Sequence, residues 1–283
     1  MRLANGHSAG ALPNVITIGA MKCGTTSLHY YLDQHPEISM SRQKELDFFS
    51  GASWDKGIDW YAGQFDPAAL IRGESSPSYT SYPKRAGVPE RIHSVVPDAK
   101  LVYLVRDPIE RIMSHYLHNW STRAEQRPLD DVLEDQASDP YVSGSKYFMQ
   151  LQQYLAFFPL SSILVLTQEE LLHDRADTMR QVFEFLGVDA SFYDSKFERI
   201  MHPTSHRRRR APLGAFVNAV ARGARLPEPL YFQMQRLLPY PFSRRLERPV
   251  LNGLLRDRLT RELQDDVNRL RELTGKEFPS WCM

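Results

Sequence analysis

Short apolar runs alternate with segments of helical periodicity along most of the chain. The runs are bounded by turn-forming residues and predict strands at 15–19, 70–73, 100–106 and 162–167. Apolar positions at helical spacing predict helices at 26–34, 89–96, 108–120, 129–136, 145–158 and 175–186. Strands that alternate with helices are typical of an α/β fold, in which helices cover both faces of a parallel sheet.

The pattern changes after residue 189. A proline-dotted stretch carries four arginines at 207–210, and two further helices are predicted at 228–238 and 254–274. We find no internal repeat and no linker long enough to separate domains. The 42% hydrophobic content suffices for a full core. The sequence therefore predicts a single domain over residues 1–283, with a flexible N-terminus at 1–13 and a helical C-terminal portion.

The most informative local pattern is an apolar strand, a short loop with one lysine, and a helix start. The loop and the first helical residues are Lys22, Cys23, Gly24, Thr25, Thr26 and Ser27. Such a loop holds an anion with its backbone amides and the positive helix end. In the Walker loop the lysine follows the second glycine and reaches the outer phosphates of a triphosphate. Here Lys22 precedes Gly24, which argues against an ordinary kinase or ATPase.

A second chemical signal follows the strand at 100–106. The strand ends in Arg106, Pro108 suits a first helical turn, and Ser114 lies about two turns into that helix. Arg106 and Ser114 could both reach one anion in the crevice where such sheets bind ligands. The alternative is that Arg106 and Asp107 only cap the strand and pair with neighbours. Asp107 also resembles the acid of a Walker B strand, but Arg106 beside it suits anion binding better.

These residues resemble sulfotransferases that use 3′-phosphoadenosine 5′-phosphosulfate, most of all the heparan sulfate N- and 3-O-sulfotransferase type. Further matches occur in the family's order at 44–49, 56–61, 73–79, 145–147, 157–159 and 273–275. The resemblance implies a P-loop NTPase-like central parallel sheet and an enzyme that moves a sulfuryl group in line to an acceptor. The expected acceptor is a hydroxyl, with an amine less favoured, on a carbohydrate, a glycolipid or a secondary metabolite.

The resemblance also assigns residues to the phosphosulfate donor. Lys22, with the backbone amides of residues 24–27, would hold the 5′-phosphate and stabilise its growing charge. Arg106 and Ser114 would bind the 3′-phosphate. Further candidates for donor contact lie in the basic C-terminal stretch and are Arg208, Arg209 and Arg210. The alternative for each of these three arginines is a solvated loop.

On the acceptor side, Glu45 matches the family's proposed base, which removes the acceptor's proton. The alternative is a surface glutamate before a pair of core aromatics. Lys44 either binds an anionic substrate or is an ordinary solvated lysine. Glu74 either contributes to the acceptor site or orients its loop by hydrogen bonding. Ser75 stands where animal 3-O-sulfotransferases carry a lysine, so heparan-type substrate binding is not carried over.

The composition mainly argues against certain classes of partner and of cysteine chemistry. A formal net charge of +1 gives no overall reason to expect attraction to nucleic acid or membranes. Two cysteines, Cys23 and Cys282, support neither a disulfide framework nor a zinc cluster, and we expect no metal. Cys23 is expected to be a small loop residue rather than a nucleophile, although a helix N-terminus could lower its pKa.

No signal peptide and no membrane span are expected, which favours a cytoplasmic protein acting on a small-molecule or glycan acceptor. The oligomeric state stays open. Two other functions remain: a nucleotide-dependent phosphotransferase, and a non-catalytic protein that binds nucleotides or, through its arginine run, nucleic acid.

Overall fold

The computed structural model describes residues 11–134, 140–199, 208–210, 243–245 and 248–282. Five strands form one sheet in the order β2-β3-β1-β4-β5, and every neighbouring pair is parallel. These strands are β1 (Val15–Gly19), β2 (Ile38–Met40), β3 (Ile71–Ser75), β4 (Lys100–Val105) and β5 (Ile163–Thr167). The predicted parallel sheet is confirmed, and the short edge strand β2 is an addition to it.

Helices connect the strands and cover the sheet. They are α1 (Thr25–Leu32), α2 (Gly57–Ala62), α3 (Val88–Val95), α4 (Pro108–Thr122), α5 (Leu129–Glu134), α6 (Pro140–Ser143), α7 (Tyr147–Leu155), α8 (Gln168–His173), α9 (Arg175–Leu186) and α10 (Gly253–Thr274). The helices predicted from periodicity are present with ends shifted by a few residues, and α10 confirms a helical C-terminal portion. The helix predicted at 228–238 lies outside the described residues.

Two further strands, β6 (Arg208–Arg210) and β7 (Ser243–Arg245), form an antiparallel pair. Part of the arginine run is therefore extended backbone rather than irregular loop. The backbone of β6 lies next to α4. Among the described residues, no helix combines the length and apolar composition needed to cross a bilayer.

The core lies around β1 and β4. All five residues of β1 are buried, as are the last five of β4, because helices cover both faces of the sheet. At the end of β1 the packing leaves no room for a side chain. A Cβ atom on Gly19 would lie 1.9 Å from the hydroxyl oxygen of Thr80. The loop that follows β1 thus starts from a tightly enclosed position.

We expect Gly73→Ala to destabilise the fold. A Cβ atom at this position in β3 would lie 2.5 Å from the sulfur of Met40 and 2.9 Å from a methyl carbon of Val15, so both neighbours must shift. Such overpacking costs about 1–3 kcal/mol. The control is Gly253→Ala, where a Cβ would meet no atom within 4 Å. Urea unfolding should show a lower midpoint for Gly73→Ala alone; equal midpoints would contradict this packing.

Candidate functional site

The loop between β1 and α1 turns sharply and leaves the start of the helix open. Lys22 has φ 73° and Gly24 has φ 94°, and the second value explains why a glycine is needed there. No side chain caps Gly24, and the first turn of α1 holds no acidic residue. Because the first amides of a helix lack intrahelical acceptors, this end of α1 is suited to an anion.

Cys23 is a packed loop residue. Its side chain is fully buried, and its sulfur lies 3.7 Å from the Tyr147 hydroxyl. Burial raises the pKa of the thiol to about 11, and this outweighs the opposing positive charges of Arg111 and Arg106. The thiol is therefore protonated at neutral pH, in agreement with the predicted structural role.

Arg106 reaches from the end of β4 to this loop. One guanidinium nitrogen donates to the carbonyl oxygen of Lys22 at 3.3 Å, and another donates to Glu110 at 3.2 Å. Its Nε is buried and has no hydrogen-bond partner among the residues that the structure describes. Glu110 also accepts from Arg248 at 2.6 Å. Arg248 lies between the helices predicted at 228–238 and 254–274 and outside the arginine run, so sequence reasoning missed it.

The residues after Arg106 set the start of α4. Asp107 caps the helix, since its carboxylate accepts the backbone N–H groups of Glu110 and Cys282 at 2.9 and 2.7 Å. Capping by Asp107 and the Arg106–Glu110 pair match the alternative that the sequence left open, and anion binding by Arg106 stays a prediction. Ser114 is buried on the same helix, 5% exposed.

A buried arginine adds positive charge to this region. Arg111 is 3% exposed and donates to the Tyr141 carbonyl oxygen and to Ser145 Oγ. Burial, then the charges of Arg111 and Lys22, lower the pKa of His115 to about 2. His115 is therefore uncharged at neutral pH. Arg111 was missed from sequence, where it reads as one more charged helical residue.

Glu45 lies on a loop beside the end of β3. Its backbone N–H donates to the carbonyl oxygen of Ser75 at 3.0 Å, and its side chain is 56% exposed. Its carboxylate lies 2.5 Å from Lys44 Nζ. Glu45 can thus be reached by a substrate, and Lys44 directs its carboxylate. The role of Glu45 as base stays a prediction.

Ser75, which in the sequence stands where animal 3-O-sulfotransferases carry a lysine, is paired with a histidine. His29 Nδ1 lies 3.0 Å from Ser75 Oγ. Burial, followed by the charge of Lys44, lowers the pKa of His29 to about 4, against the opposing effect of Glu45. His29 was missed from sequence. The available signal is its position one helical turn after Thr25 in α1.

Glu74 is fully buried rather than open to an acceptor. Its carboxylate accepts hydrogen bonds from the hydroxyls of Tyr61 at 2.5 Å, Ser76 at 2.8 Å and Tyr79 at 3.0 Å. Burial raises the pKa of this carboxyl to about 7. Of the two roles left open by the sequence, orienting the loop by hydrogen bonding matches this placement.

The order of the strands brings most of these groups together at the carboxyl end of the sheet. Because β3, β1 and β4 are parallel neighbours, the Ser75 region, the Lys22 loop and Arg106 follow adjacent carboxyl ends. The backbone of Arg208–Arg210 lies near α4, but their side chains lie outside the description, so their donor contacts remain a prediction. Within the described ranges, no group of three or more histidine, cysteine, aspartate or glutamate side chains is arranged to hold a metal.

The chain belongs to the sulfotransferase family, since the family described as "Sulfotransferase domain" matches residues 12–211. A solved sulfotransferase from Alicyclobacillus acidocaldarius superposes with a TM-score of 0.68 at 25% identity, covering 96% of this chain and all of that one. The fold and the resemblance seen in the sequence are thereby confirmed.

Curated relatives are similar over part of their length. Heparan sulfate glucosamine 3-O-sulfotransferase 3B1 of Mus musculus is 32% identical over 203 residues, which are 68% of this chain and 50% of that protein. The membrane-associated sulfotransferase kil1 of Dictyostelium discoideum is 39% identical over 130 residues, 44% and 27% of the two chains. Bifunctional heparan sulfate N-deacetylase/N-sulfotransferase 2 of Bos taurus is 29% identical over 198 residues, 62% and 22%. The chain thus spans half or less of these relatives.

We expect Glu74→Gln to change how stability depends on pH. Folding raises the Glu74 pKa from 4.5 to about 7, so its favourable contribution is complete below about pH 4.5 and is lost as pH rises through about 7. At 1.36 kcal/mol per pKa unit, the wild type should lose about 3 kcal/mol relative to the variant over this interval.

The measurement is the free energy of unfolding from urea titrations across this pH range. His29, whose pKa is lowered by folding, acts with the opposite sign, so the difference between wild type and variant is the quantity to compare. Parallel pH curves for the two proteins would contradict a buried, titrating Glu74.

Proposed function

We propose that this protein transfers a sulfuryl group from 3′-phosphoadenosine 5′-phosphosulfate to a hydroxyl group. The observation that carries the proposal is the hydrogen bond from Arg106 to the carbonyl oxygen of Lys22, at 3.3 Å. It joins the cation at the end of β4 to the anion-holding loop after β1. Two separate positive positions at one sheet edge suit a donor with a phosphosulfate and a second, 3′-phosphate.

The residues present fit this donor. The uncapped start of α1 and Lys22 would hold the 5′-phosphate. Arg106, whose buried Nε has no partner in the described part of the chain, would bind the 3′-phosphate with Ser114. Arg248 and the arginines at 208–210 are the further donor contacts that we propose. These cations supply positive charge at both phosphates, so we assign no metal to the donor site.

The donor brings the sulfuryl group in activated form, and the protein positions it and handles charge and protons. Lys22 and the positive end of α1 stabilise the negative charge that grows on the departing phosphate. Glu45, exposed and directed by Lys44, accepts the proton of the acceptor hydroxyl. Holding both reactants in line supplies a large share of the rate enhancement.

The proposed acceptor is a hydroxyl on a carbohydrate, a glycolipid or a secondary metabolite, with an amine as second choice. The names of the curated relatives, which include a glucosamine 3-O-sulfotransferase and N-sulfotransferases, support a carbohydrate. Ser75, paired here with a neutral His29, stands where animal 3-O-sulfotransferases carry a lysine, so we do not propose a heparan-type polyanion.

Two measurements test the proposal. Calorimetry should show binding of adenosine 3′,5′-bisphosphate in the presence of a chelator, and labelled sulfate should pass from the donor to at least one acceptor in a panel of glycans, lipids and natural products. Magnesium-dependent ATP turnover instead would indicate a phosphotransferase. Nucleotide or nucleic-acid binding without any transfer would indicate a non-catalytic protein.

Lys22→Ala should lower kcat by a factor of about 100 or more, because the group that stabilises charge on the departing phosphate is lost. Initial rates with the donor saturating are the measurement. Lys196→Ala is the matched control, since this exposed lysine contacts only Gln34 and Asp194 in the described structure. Near-wild-type turnover in Lys22→Ala would refute the assigned role.

Arg106→Ala should weaken binding of adenosine 3′,5′-bisphosphate by about 10- to 100-fold, the usual cost of a lost hydrogen bond to a charged group. The acceptor KM should change much less. Calorimetry gives the first value and steady-state kinetics the second. Arg180→Ala removes an exposed arginine that pairs within its own helix and serves as control. Unchanged nucleotide affinity in Arg106→Ala would count against the 3′-phosphate site.

A further inference from the structure

The buried carboxylate of Glu74 is surrounded by hydroxyl groups. Tyr61, Ser76 and Tyr79 each donate to it, at 2.5, 2.8 and 3.0 Å. The pKa values of both phenols are raised well above their usual value, by burial first and then by the charge of Glu74. Both tyrosines therefore keep their protons and act as donors. All three side chains have less than 3% exposure, so solvent does not compete for these bonds.

Two of these hydroxyls also hold the loop that carries Glu45. Ser76 Oγ accepts the backbone N–H of Asp47 at 3.1 Å, and the Tyr79 hydroxyl accepts that of Phe49 at 3.2 Å. A hydroxyl has one proton, so donating it to Glu74 leaves its lone pairs for these amides. The carboxylate thus sets the direction of both hydroxyls.

The loop is held at alternate residues. Glu45 donates its backbone N–H to the carbonyl oxygen of Ser75, and residues 47 and 49 donate to Ser76 and Tyr79. Glu45 and Asp47 have φ of 65° and 51°, a region that non-glycine residues seldom adopt. Such conformations are strained and persist only when their surroundings hold them. The two hydroxyls are part of those surroundings.

We propose that Glu74 is a positioning residue for Glu45: it orients the Ser76 and Tyr79 hydroxyls, and these fix the backbone on which the base is mounted. The inference rests on the proposed function, because it takes Glu45 to be the base. Tyr61 differs from the other two donors. Its hydroxyl contacts Glu74 but no loop amide in the described structure.

The chemistry of the site explains why a carboxylate suits this role. Ionised, it offers two oxygens that only accept hydrogen bonds, so all the surrounding hydroxyls point their protons inward. A glutamine offers one accepting oxygen and an NH₂ group that donates. At least one hydroxyl would then have to turn its proton away, toward a loop amide that also donates. Glu74→Gln should therefore loosen the loop while preserving the volume of the side chain.

The test compares kcat, acceptor KM and the affinity for adenosine 3′,5′-bisphosphate in Glu74→Gln, Ser76→Ala and Tyr79→Phe, above about pH 7 where Glu74 is ionised. We expect kcat to fall about tenfold or more in each, as a misplaced catalytic group does, while nucleotide affinity stays within about twofold of wild type. The double variant Glu74→Gln with Ser76→Ala should lose less than the product of the single losses, because both act through one chain of hydrogen bonds.

Tyr61→Phe is the matched control. The substitution removes one hydrogen bond to Glu74 and keeps the aromatic ring, which stacks on Phe48 with the ring centroids 4.3 Å apart. It removes no hydrogen bond to a backbone amide of the loop as the structure describes it. Its kcat should stay within about twofold of wild type. Glu45→Gln tests the base separately and should be nearly inactive. The melting temperature of each variant shows whether it is folded at the assay temperature.

The inference is overturned if Ser76→Ala and Tyr79→Phe keep the kcat of Tyr61→Phe, or if nucleotide affinity falls in proportion to kcat. It is also overturned if the effects of Glu74→Gln and Ser76→Ala multiply as independent changes. Failure of the proposed function looks different: the wild type would then transfer no sulfuryl group, or Glu45→Gln would remain fully active.

Discussion

The central strand β1 is hydrogen-bonded on both edges and buried on both faces, and the positions of the functional groups depend on that enclosure. Its end is pressed against Thr80, so the chain must leave through the tight turn that contains Lys22 and Gly24. Its neighbours β3 and β4 end beside it. The residues that follow three adjacent strands therefore meet at one edge without long loops to bring them there.

The two sides of this edge differ in charge. Toward β4 lie Arg106, Arg111 and Arg248, partly balanced by Glu110. Toward β3 the buried groups are a neutral histidine, hydroxyls and a carboxylate whose pKa is raised to about 7. In the proposed function this difference separates the tasks. Cations on one side hold the two anionic groups of the donor, and proton transfer takes place on the other side.

The sequence predicted those elements that a short, local pattern of residues is enough to define. The buried runs of β1 and β4, the loop lysine and Arg106 are examples, since the burial of a strand and the residues that follow it can be read from short stretches of sequence. The three residues of β2 are too few for a periodic signal. The contacts around Glu74 could not be predicted. They join α2, β3 and the 45–49 loop, which are separate in the chain and come together only in the folded protein. Arg248 escaped because its partner Glu110 lies 138 residues away in the chain.

The pairing of β1 has a consequence for how the protein is made. Val15 precedes both of its strand partners, Gly73 and Lys100, in the chain. Until those segments leave the ribosome, β1 has neither of its hydrogen-bonding neighbours, and the turn after it has no Thr80 to pack against. Such distant pairings are slow to form because a long loop must close first. Until both partners are made, β1 remains an apolar segment with both edges open to other chains.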